Sequence, residues 1–448
     1  MLTPPGPPGL PFLGSVLDAW RDPIALLLDS ALRFGPMVGL KIGPFRYILV
    51  GDPEGIRRVL VDNPQNYTKS RNYDGIKLVL GRGLLTSEGD LWRRQRKLIQ
   101  PAFHRDRLAT FATVMAEETG AMLDRWAPLA AERRAVDVHA EMMGLTLRIV
   151  ASTFFGADVA RHTAAVAGAL DTVVHFADEY VKQIVRLPVG VPTPRNIRFR
   201  RAVATLDGVL QSIKKERRRR AGDADLLAML MEARDESGER MSDAQIRDEL
   251  MTLILAGHET TANALSWTFY LLSRHPEAER RVFAEVTEVL GDRAPTPEDL
   301  PKLRYTTMVI QESMRLYPPA WAFERAAIGD DEVAGYHVPA GTMLIFCPFT
   351  LHRDPALWDN PEGFEPERFS PERAAARPRY AYLPFGGGPR HCIGNGFAMM
   401  EVQIILAMVV QRCRLWLVPG HPVEMDPLIT LRPRGGVRMT LAARPGPR

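Results

Sequence analysis

One cysteine of this chain lies in a glycine-rich stretch where it could bind a metal. Residues 385–394 read FGGGPRHCIG and place Cys392 just before a predicted helix that begins near Asn395. Glycines let a backbone adopt φ > 0 and approach a flat ligand closely, and the N–H groups of a helix N-terminus favour a thiolate over a thiol. A lone buried cysteine is otherwise a small apolar residue, but the flanking loop favours a thiolate that ligates haem iron.

A second chemical signal lies in the middle of a long predicted helix. Residues 242–245 form a capping-box pattern, and the apolar periodicity continues to His275, which predicts about 30 residues and roughly 45 Å. Residues 256–261 (AGHETT) interrupt its apolar centre. Because a glycine costs about 1 kcal/mol in a helix and threonines compete for backbone carbonyls, we predict a local distortion. A packing notch where another element crosses closely is the alternative.

Glu312 and Arg315 are three residues apart on a helix that the prolines at 318 and 319 end. They share a helical face and can pair, and Arg368, in a loop before the cysteine, offers a second cation. A buried glutamate held by two arginines is expensive to break, at several kcal/mol. We therefore predict a structural staple for the cysteine loop.

Trp92 and Arg96 are four residues apart and share a helical face. An indole N–H and a guanidinium can jointly hold a carboxylate such as a haem propionate. Arg93, Arg94 and Lys97 point elsewhere and could form a basic rim.

The elements that must hold these groups are mainly helical. Apolar residues between about 90 and 320 recur at spacings of three and four. A β-hairpin followed by a helix is predicted over residues 38–60, and short strand-like runs at 332–338, 342–347 and 428–441 are too few for a parallel sheet. We predict a mainly α fold with a smaller β-rich region.

The composition is that of a soluble globular protein. The 448 residues are 46% hydrophobic and 25% charged, and no linker divides them, so we predict a single domain over residues 1–448. The three cysteines form no CxxC pair, which disfavours a disulfide framework or a structural zinc site. No leader and no apolar run near the roughly 20 residues of a spanning helix are found, so a cytoplasmic protein without a transmembrane segment is expected.

A net charge of +4 decides little by itself. The densest basic run, residues 214–220 (KKERRRR), closes a predicted helix, where cations suit the negative end of the helix dipole. We interpret this run as a solvated helix end rather than a nucleic-acid or membrane patch, and expect no nucleic-acid partner.

Taken in order, these motifs resemble those of the cytochrome P450 family of haem-thiolate monooxygenases. The resemblance covers essentially the whole chain, including the proline-rich start and the β-rich end. It implies a cytochrome P450 fold with haem b between the long helix and the cysteine loop. Glu259 stands where many soluble bacterial members have Asp, so this segment resembles the fatty-acid-hydroxylase-like branch.

The resemblance assigns roles around the haem residue by residue. Cys392 is the expected proximal ligand of the iron, and Phe385 would pack near its sulfur. Gly386 and Gly394 would allow close approach of the loop and the macrocycle. The residues expected to bind the propionates are Trp92, Arg96, Arg325 and Arg390.

On the opposite face of the haem, Gly257 is expected to leave space for dioxygen. Thr260 is expected to hold a water that delivers a proton, and Glu259 to feed this relay from solvent. Because adjacent residues do not face each other on a helix, the relay implies a water or local unwinding.

The resemblance also implies an apolar substrate pocket with no charged anchor evident among its named residues. The segment from about 171 to 200 is expected to cover this pocket and could supply a polar anchor from His175, Glu179, Tyr180 or Arg186. The expected substrate is lipophilic, of the fatty acid, terpenoid, steroid or macrolide type. The expected pocket residues are Leu84, Leu85, Leu253, Ala256, Ala320, Trp321, Phe323 and Ile429.

The expected reaction inserts one atom of O2 into the substrate and reduces the other to water, which requires two external electrons. No flavin- or nicotinamide-binding glycine fingerprint is found. We therefore expect NAD(P)H to act through a reductase and a small acidic ferredoxin or flavodoxin, docked on basic residues such as Arg93, Arg94 and Lys97. A monomer is expected. Two alternatives are a peroxide-driven hydroxylase, whose members tend to replace the acid–threonine pair, and a haem-thiolate sensor, which has no need of that pair.

Overall fold

The computed structural model describes residues 2–156, 163–183, 186–217 and 225–444. Helices dominate these ranges, and strands occur near both ends of the chain and after the last long helices. The α-helices are α1 (Val16–Arg21), α2 (Pro23–Phe34), α3 (Pro53–Arg57), α4 (Asp74–Leu80), α5 (Gly89–Ile99), α6 (Arg105–Ala131), α7 (Val138–Phe155), α8 (Thr163–Lys182), α9 (Pro194–Arg217), α10 (Leu226–Glu232), α11 (Asp243–Arg274), α12 (Pro276–Leu290), α13 (Arg304–Leu316), α14 (Pro348–Leu351), α15 (Pro371–Ala375) and α16 (Asn395–Arg412).

The strands form one larger sheet and several small ones. A five-stranded sheet has the order β1-β2-β8-β5-β3, a three-stranded sheet has the order β4-β12-β9, and β6–β7 and β10–β11 are antiparallel pairs. In the five-stranded sheet only β2 and β8 pair in parallel. The strands are β1 (Met37–Ile42), β2 (Phe45–Val50), β3 (Tyr67–Thr68), β4 (Ala135–Asp137), β5 (Phe323–Ala327), β6 (Asp331–Val333), β7 (Tyr336–Val338), β8 (Met343–Phe346), β9 (Cys413–Leu417), β10 (Glu424–Pro427), β11 (Leu431–Arg434) and β12 (Arg438–Ala443).

Helix α11 crosses the centre of the helical region. Its 32 residues begin at the predicted capping box, in which the Ser242 hydroxyl accepts from the N–H of Gln245 and the Gln245 side chain accepts from the N–H of Ser242. The helix ends at Arg274, directly before His275 and Pro276, as the proline requires. Nearly every residue from Leu250 to Leu272 is buried, because neighbouring elements cover this helix on most of its circumference.

The predicted distortion of α11 at residues 256–261 is wrong. The helix is continuous there, and the threonine hydroxyls donate to carbonyls of the preceding turn: Thr260 to Ala256 at 2.6 Å and Thr261 to Gly257 at 3.1 Å. These bonds satisfy the hydroxyls without breaking the backbone ladder, because a second lone pair of each carbonyl is available.

The other predicted elements are found close to their expected places. β1, β2 and α3 form the hairpin and helix predicted over residues 38–60, and β6, β7, β8, β11 and β12 occupy the later strand-like runs. The mainly α fold with a smaller β-rich region is confirmed. The basic run at 214–220 is covered only in part, because residues 218–224 lie outside the described ranges.

Across the described part of the chain, none of the helices combines the length and apolar character needed to cross a bilayer.

Candidate active site

The glycine loop holds Cys392 at the start of α16. The N–H of Cys392 donates to the carbonyl of Phe385 at 2.9 Å, which closes the loop. Gly386 and Gly388 adopt φ of 68° and 65°, a region that glycine enters without strain. At Gly388 a Cβ would lie 1.8 Å from the carbonyl oxygen of Leu60, so only glycine fits.

The Cys392 thiol needs nearby positive charge to ionise to a thiolate. Burial raises the pKa of the thiol, while the backbone N–H groups of Gly394 and Asn395 and the charge of Arg96 lower it by less. The expected helix N–H contacts are therefore present, but they do not by themselves produce the thiolate. A bound metal cation deprotonates such a thiol outright, so the sulfur's environment suits a metal ligand better than a free thiolate.

Exposed residues occur in the cysteine loop and in the middle of the buried helix α11. Cys392 is exposed although protein surrounds it closely enough to raise its pKa. Ala256 is exposed and Gly257 and Thr260 are half-buried in the middle of the buried helix α11. Helices α11 and α16 pack together, so a flat macrocycle held between the small residues of α11 and the thiol just before α16 would account for both sets of exposed positions.

Cations with few carboxylate partners gather beside the cysteine loop. Arg390 pairs with Glu88 and its guanidinium lies 4.2 Å from the centre of the Trp92 ring. Among the described residues no carboxylate pairs with Lys69, Arg96 or Arg325. Burial and the charges of Arg325 and Arg390 lower the pKa of Lys69.

This excess of positive charge fits the two propionates of a haem. Arg96 donates to the carbonyl of His391 at 3.0 Å and keeps further N–H donors available, and the indole N–H of Trp92 has no acceptor among the described residues. The four residues expected from the sequence therefore lie with Lys69 around the cysteine loop. Lys69 was missed because a lone lysine after a two-residue strand carries no motif.

Glu259 lies in a buried ion-pair network rather than facing solvent. It is 2% exposed, and it accepts hydrogen bonds from Arg432 Nε at 2.7 Å and from the Thr430 hydroxyl. Burial would raise its pKa, but the bonds from Arg432 and Thr430 and the nearby charges outweigh burial and lower it. Arg432 also donates to Asp171 on α8 at 2.8 Å, and the Asp171 side chain is 55% exposed. Glu259 itself therefore has no direct contact with solvent, and its expected role in feeding the proton relay stays a prediction.

Gly257 packs closely against α7. A Cβ at this position would lie 3.2 Å from Val150 Cγ2 and 3.8 Å from Phe154. The packing notch considered from the sequence is therefore found here, and it accounts for the glycine. Room for dioxygen beside Gly257 stays a prediction.

The predicted staple forms with full burial of all three side chains. Arg315 makes two bonds to Glu312, at 2.7 and 2.9 Å, and Arg368 Nε lies 3.2 Å from the same carboxylate. All three residues are at most 1% exposed. His352, which the sequence analysis missed, links the staple to the cysteine loop: its Nε2 accepts from the N–H of Leu383 at 2.9 Å, and its carbonyl accepts from Arg315.

Three of the eight predicted pocket residues line one cavity, and the other five do not. Trp321, Phe323 and Ile429 line a cavity of about 340 Å³ between the five-stranded sheet, α1, α8 and the segment before β11. The indole N–H of Trp321 donates to the carbonyl of Leu428 at 2.8 Å. The remaining predicted pocket residues, which do not line this cavity, are Leu84, Leu85, Leu253, Ala256 and Ala320.

Two glycines of the loop allow a matched test of its geometry. Gly386→Ala should cost about 1–2 kcal/mol for the left-handed backbone alone, because nothing lies within 4 Å of the added Cβ. Gly388→Ala should cost clearly more and lower the bound haem per chain, because Leu60 must move. Chemical unfolding and the haem-to-protein ratio measure both effects. Equal losses in the two variants would show that contact with Leu60 does not fix the loop.

The staple can be compared with an exposed pair of the same spacing. Glu312→Gln leaves two buried guanidinium groups without a carboxylate and should lower the free energy of unfolding by about 3–5 kcal/mol. Glu277→Gln removes the partner of Arg280, also three residues away but 73% exposed at Glu277, and should change it by less than about 1 kcal/mol. Urea denaturation measures both, and similar losses would contradict the staple.

Comparison with known proteins identifies the family. The family model for cytochrome P450 matches residues 4–437. Cyclooctatin synthase of Streptomyces melanosporofaciens is 41% identical over 97% of this chain and 94% of its own, and cyclooctat-9-en-7-ol 5-monooxygenase of the same organism is 39% identical over 92% and 90%. A solved structure, the retinoic-acid-bound cyanobacterial CYP120A1, superposes with a TM-score of 0.88 at 28% identity, covering 99% of both chains. With a cysteine loop, cation cluster and central helix that fit a haem, this chain belongs to the cytochrome P450 family of monooxygenases.

Proposed function

We propose that this cytochrome P450 inserts one oxygen atom from O2 into a cyclic terpenoid, using two electrons from a separate redox partner. The similarity along nearly the whole chain to an enzyme named for cyclooctat-9-en-7-ol, a cyclic terpene alcohol, carries the substrate class. The cavity beside β5 supports it, because apolar side chains such as Trp321, Phe323 and Ile429 form much of its wall. Apolar walls bind ring hydrocarbons by the hydrophobic effect.

The residues around the haem provide binding and proton handling. When bound, haem supplies an iron that activates dioxygen, with Cys392 as its thiolate ligand. The hydroxyl proton of Thr260 is held by the carbonyl of Ala256, so the oxygen of Thr260 is free to accept a hydrogen bond from a water. Thr260 thus orients a water beside the exposed face of α11.

Glu259 is ionised and held by Arg432, which also binds the exposed Asp171. Arg432 keeps its own proton, so a water must carry the proton to Glu259. If Arg432 moves from Glu259 toward the exposed Asp171, water from the solvent side can reach the freed carboxylate of Glu259 and protonate it. The route enters from α8 and β11 rather than along α11 itself.

The three cations expected to dock a redox partner are already paired. Arg93 binds Asp90, Arg94 binds Asp235, and Lys97 binds Glu236. These pairings leave the three cations with little net positive charge for an acidic partner, which weighs against docking on the expected basic rim. Exposed Arg105 and Arg107, at the start of α6, have no carboxylate partner among the described residues. We place the docking of an acidic ferredoxin or flavodoxin on this end of α6.

The function is tested by reconstitution with NADPH, a surrogate ferredoxin and its reductase, using a panel of cyclic terpenes. The wild-type protein should form a product one oxygen atom heavier, and product should require NADPH rather than peroxide. Thr260→Ala should reduce the product formed per NADPH several-fold, because the ordered water is lost. Product mass and NADPH consumption measure both outcomes.

Thr260→Ser is the matched control, since it keeps the hydroxyl and should keep most of the coupling. If Thr260→Ala were as well coupled as the wild type, the role of Thr260 would be refuted. Oxidation of fatty acids with no terpene accepted would refute the substrate class instead.

Arg432→Gln should change the pH dependence of coupling. Burial alone raises the pKa of Glu259, and Arg432 opposes it, so removing the charge raises that pKa. Because a group that delivers a proton acts from its protonated form, the alkaline limb of the profile of product per NADPH should move to higher pH. Asp171→Asn leaves the Arg432–Glu259 bond in place, so its alkaline limb should stay near that of the wild type, while its product per NADPH should fall because the route loses its exposed carboxylate. Superimposable profiles for Arg432→Gln and wild type would rule out Glu259 as the titrating acid.

A further inference from the structure

The cavity beside β5 has a polar corner, formed by residues that the sequence analysis did not anticipate. Tyr47 from β2, Asn72 from the turn before α4 and Glu324 from β5 all line the cavity. The Asn72 amide donates to both oxygens of Glu324, at 3.1 and 3.0 Å, and to the Tyr47 hydroxyl at 3.3 Å. The Ser70 hydroxyl donates to Glu324 at 2.5 Å. These contacts fix the three side chains as a unit in the cavity wall.

Glu324 is unusual because its carboxylate lies in the cavity wall with no cationic partner in the described part of the chain. Within the described ranges, no Lys, Arg or His side chain lies within 4.0 Å of its carboxylate. Burial raises its pKa, against smaller opposing effects of the bonds from Ser70 and Asn72. Desolvating an acid without a cation opposes folding, and such groups in cavities often mark functional sites.

The two arginines that share the cavity are directed elsewhere. Arg186 donates to Asp74 at 3.3 Å and to the carbonyl of Arg71 at 3.2 Å. The guanidinium of Arg71 lies 3.9 Å from the centre of the Phe45 ring. The hydrogen-bond partners of Glu324 are therefore neutral. Its carboxylate keeps lone pairs that no described cation occupies.

The corner offers one donor and one acceptor side by side. Tyr47 accepts from Asn72, and its own proton has no acceptor among the described residues. Burial, followed by the charge of Glu324, raises the pKa of Tyr47 to about 12, so the phenol stays a donor at neutral pH. Glu324 has lone pairs left after its bonds to Ser70 and Asn72. A hydroxyl group both accepts and donates, so it satisfies both at once, whereas a carboxylate would be repelled by Glu324.

We propose that Tyr47, Asn72 and Glu324 form a polar subsite that binds a hydroxyl group already present on the terpenoid substrate. This inference rests on the proposed function and narrows its substrate class to terpenoid alcohols. The remainder of the substrate lies against Trp321, Phe323 and Ile429. An earlier reaction must supply the hydroxyl group, either a hydroxylation or a cyclisation that ends by capture of water, so this enzyme acts after that step.

The test uses four ligands that share one diterpene skeleton and differ at one carbon: dehydroabietane, dehydroabietol, dehydroabietic acid and dehydroabietylamine. Their dissociation constants come from the shift of haem absorption on binding to the holoenzyme. Wild type should bind the alcohol at least about ten-fold more tightly than the hydrocarbon, as expected for two hydrogen bonds. Tyr47→Phe and Glu324→Gln should each weaken alcohol binding by about three- to ten-fold and leave hydrocarbon binding unchanged.

Asp178→Asn is the matched control. Asp178 lines the same cavity but already pairs with Lys182 at 2.6 Å, so this exchange of acid for amide should leave the preference for the alcohol intact. The reduced, carbon-monoxide-bound spectrum of each variant checks that the haem site is folded. Two independent variants keep the test valid if one of them fails this check.

Every other outcome overturns the subsite. Equal binding of alcohol and hydrocarbon, with no effect of either variant, would make the corner purely structural while leaving the terpenoid function standing. Tightest binding of the acid would assign recognition to Arg71. Tightest binding of the amine would assign an ion pair to Glu324 only if the shift is toward high spin, since a low-spin shift shows that the amine nitrogen ligates the iron. If no member of the series binds a holoenzyme with a normal thiolate spectrum, the terpenoid function fails and the subsite fails with it.

Discussion

The architecture of the site depends on placing one sulfur atom in an interior where the protein alone does not ionise it. Burial raises the pKa of Cys392, and the N–H groups of α16 and the charge of Arg96 compensate only in part. A bound metal cation would supply the charge that a thiolate at this position requires. Two contacts hold the loop in place: Gly388 packs against Leu60, and His352 connects Leu383 to the staple.

Around Cys392, unpaired cations and a neutral ion pair lie in different places. The cations Lys69, Arg96 and Arg325 have no carboxylate partner among the described residues, and they suit the carboxylates of a macrocycle. Glu259 on α11 is instead neutralised by the protein, in a buried pair with Arg432. A ligand would therefore complete the charge balance beside the cysteine loop, whereas the acid of α11 needs none.

Local patterns in the sequence predict the contacts made within one helix or one loop. The spacing of Glu312 and Arg315, and the glycines before Cys392, fix the geometry that the structure contains. Contacts between distant segments leave no such signal. Arg432 bonds Glu259 although 173 positions separate them in the sequence. Nothing in the sequence around Lys69 indicates that it lies close to β5. The distortion expected in α11 is absent because the Thr260 hydroxyl can bond a carbonyl that is already in the helix ladder.

The C-terminal hairpin, β10 with β11, and the short segment between its strands add hydrogen bonds to both α11 and α8. Asn263 bonds Thr430, Trp267 bonds the carbonyl of Leu431, and Arg432 ties α11 to α8. The neighbouring Ile429 borders the cavity. Exchanging this short segment between related enzymes therefore transplants part of the cavity wall and the counter-ion of the buried acid together. Chimeras made at this point would change two features together: the wall of the cavity and the partner of Glu259.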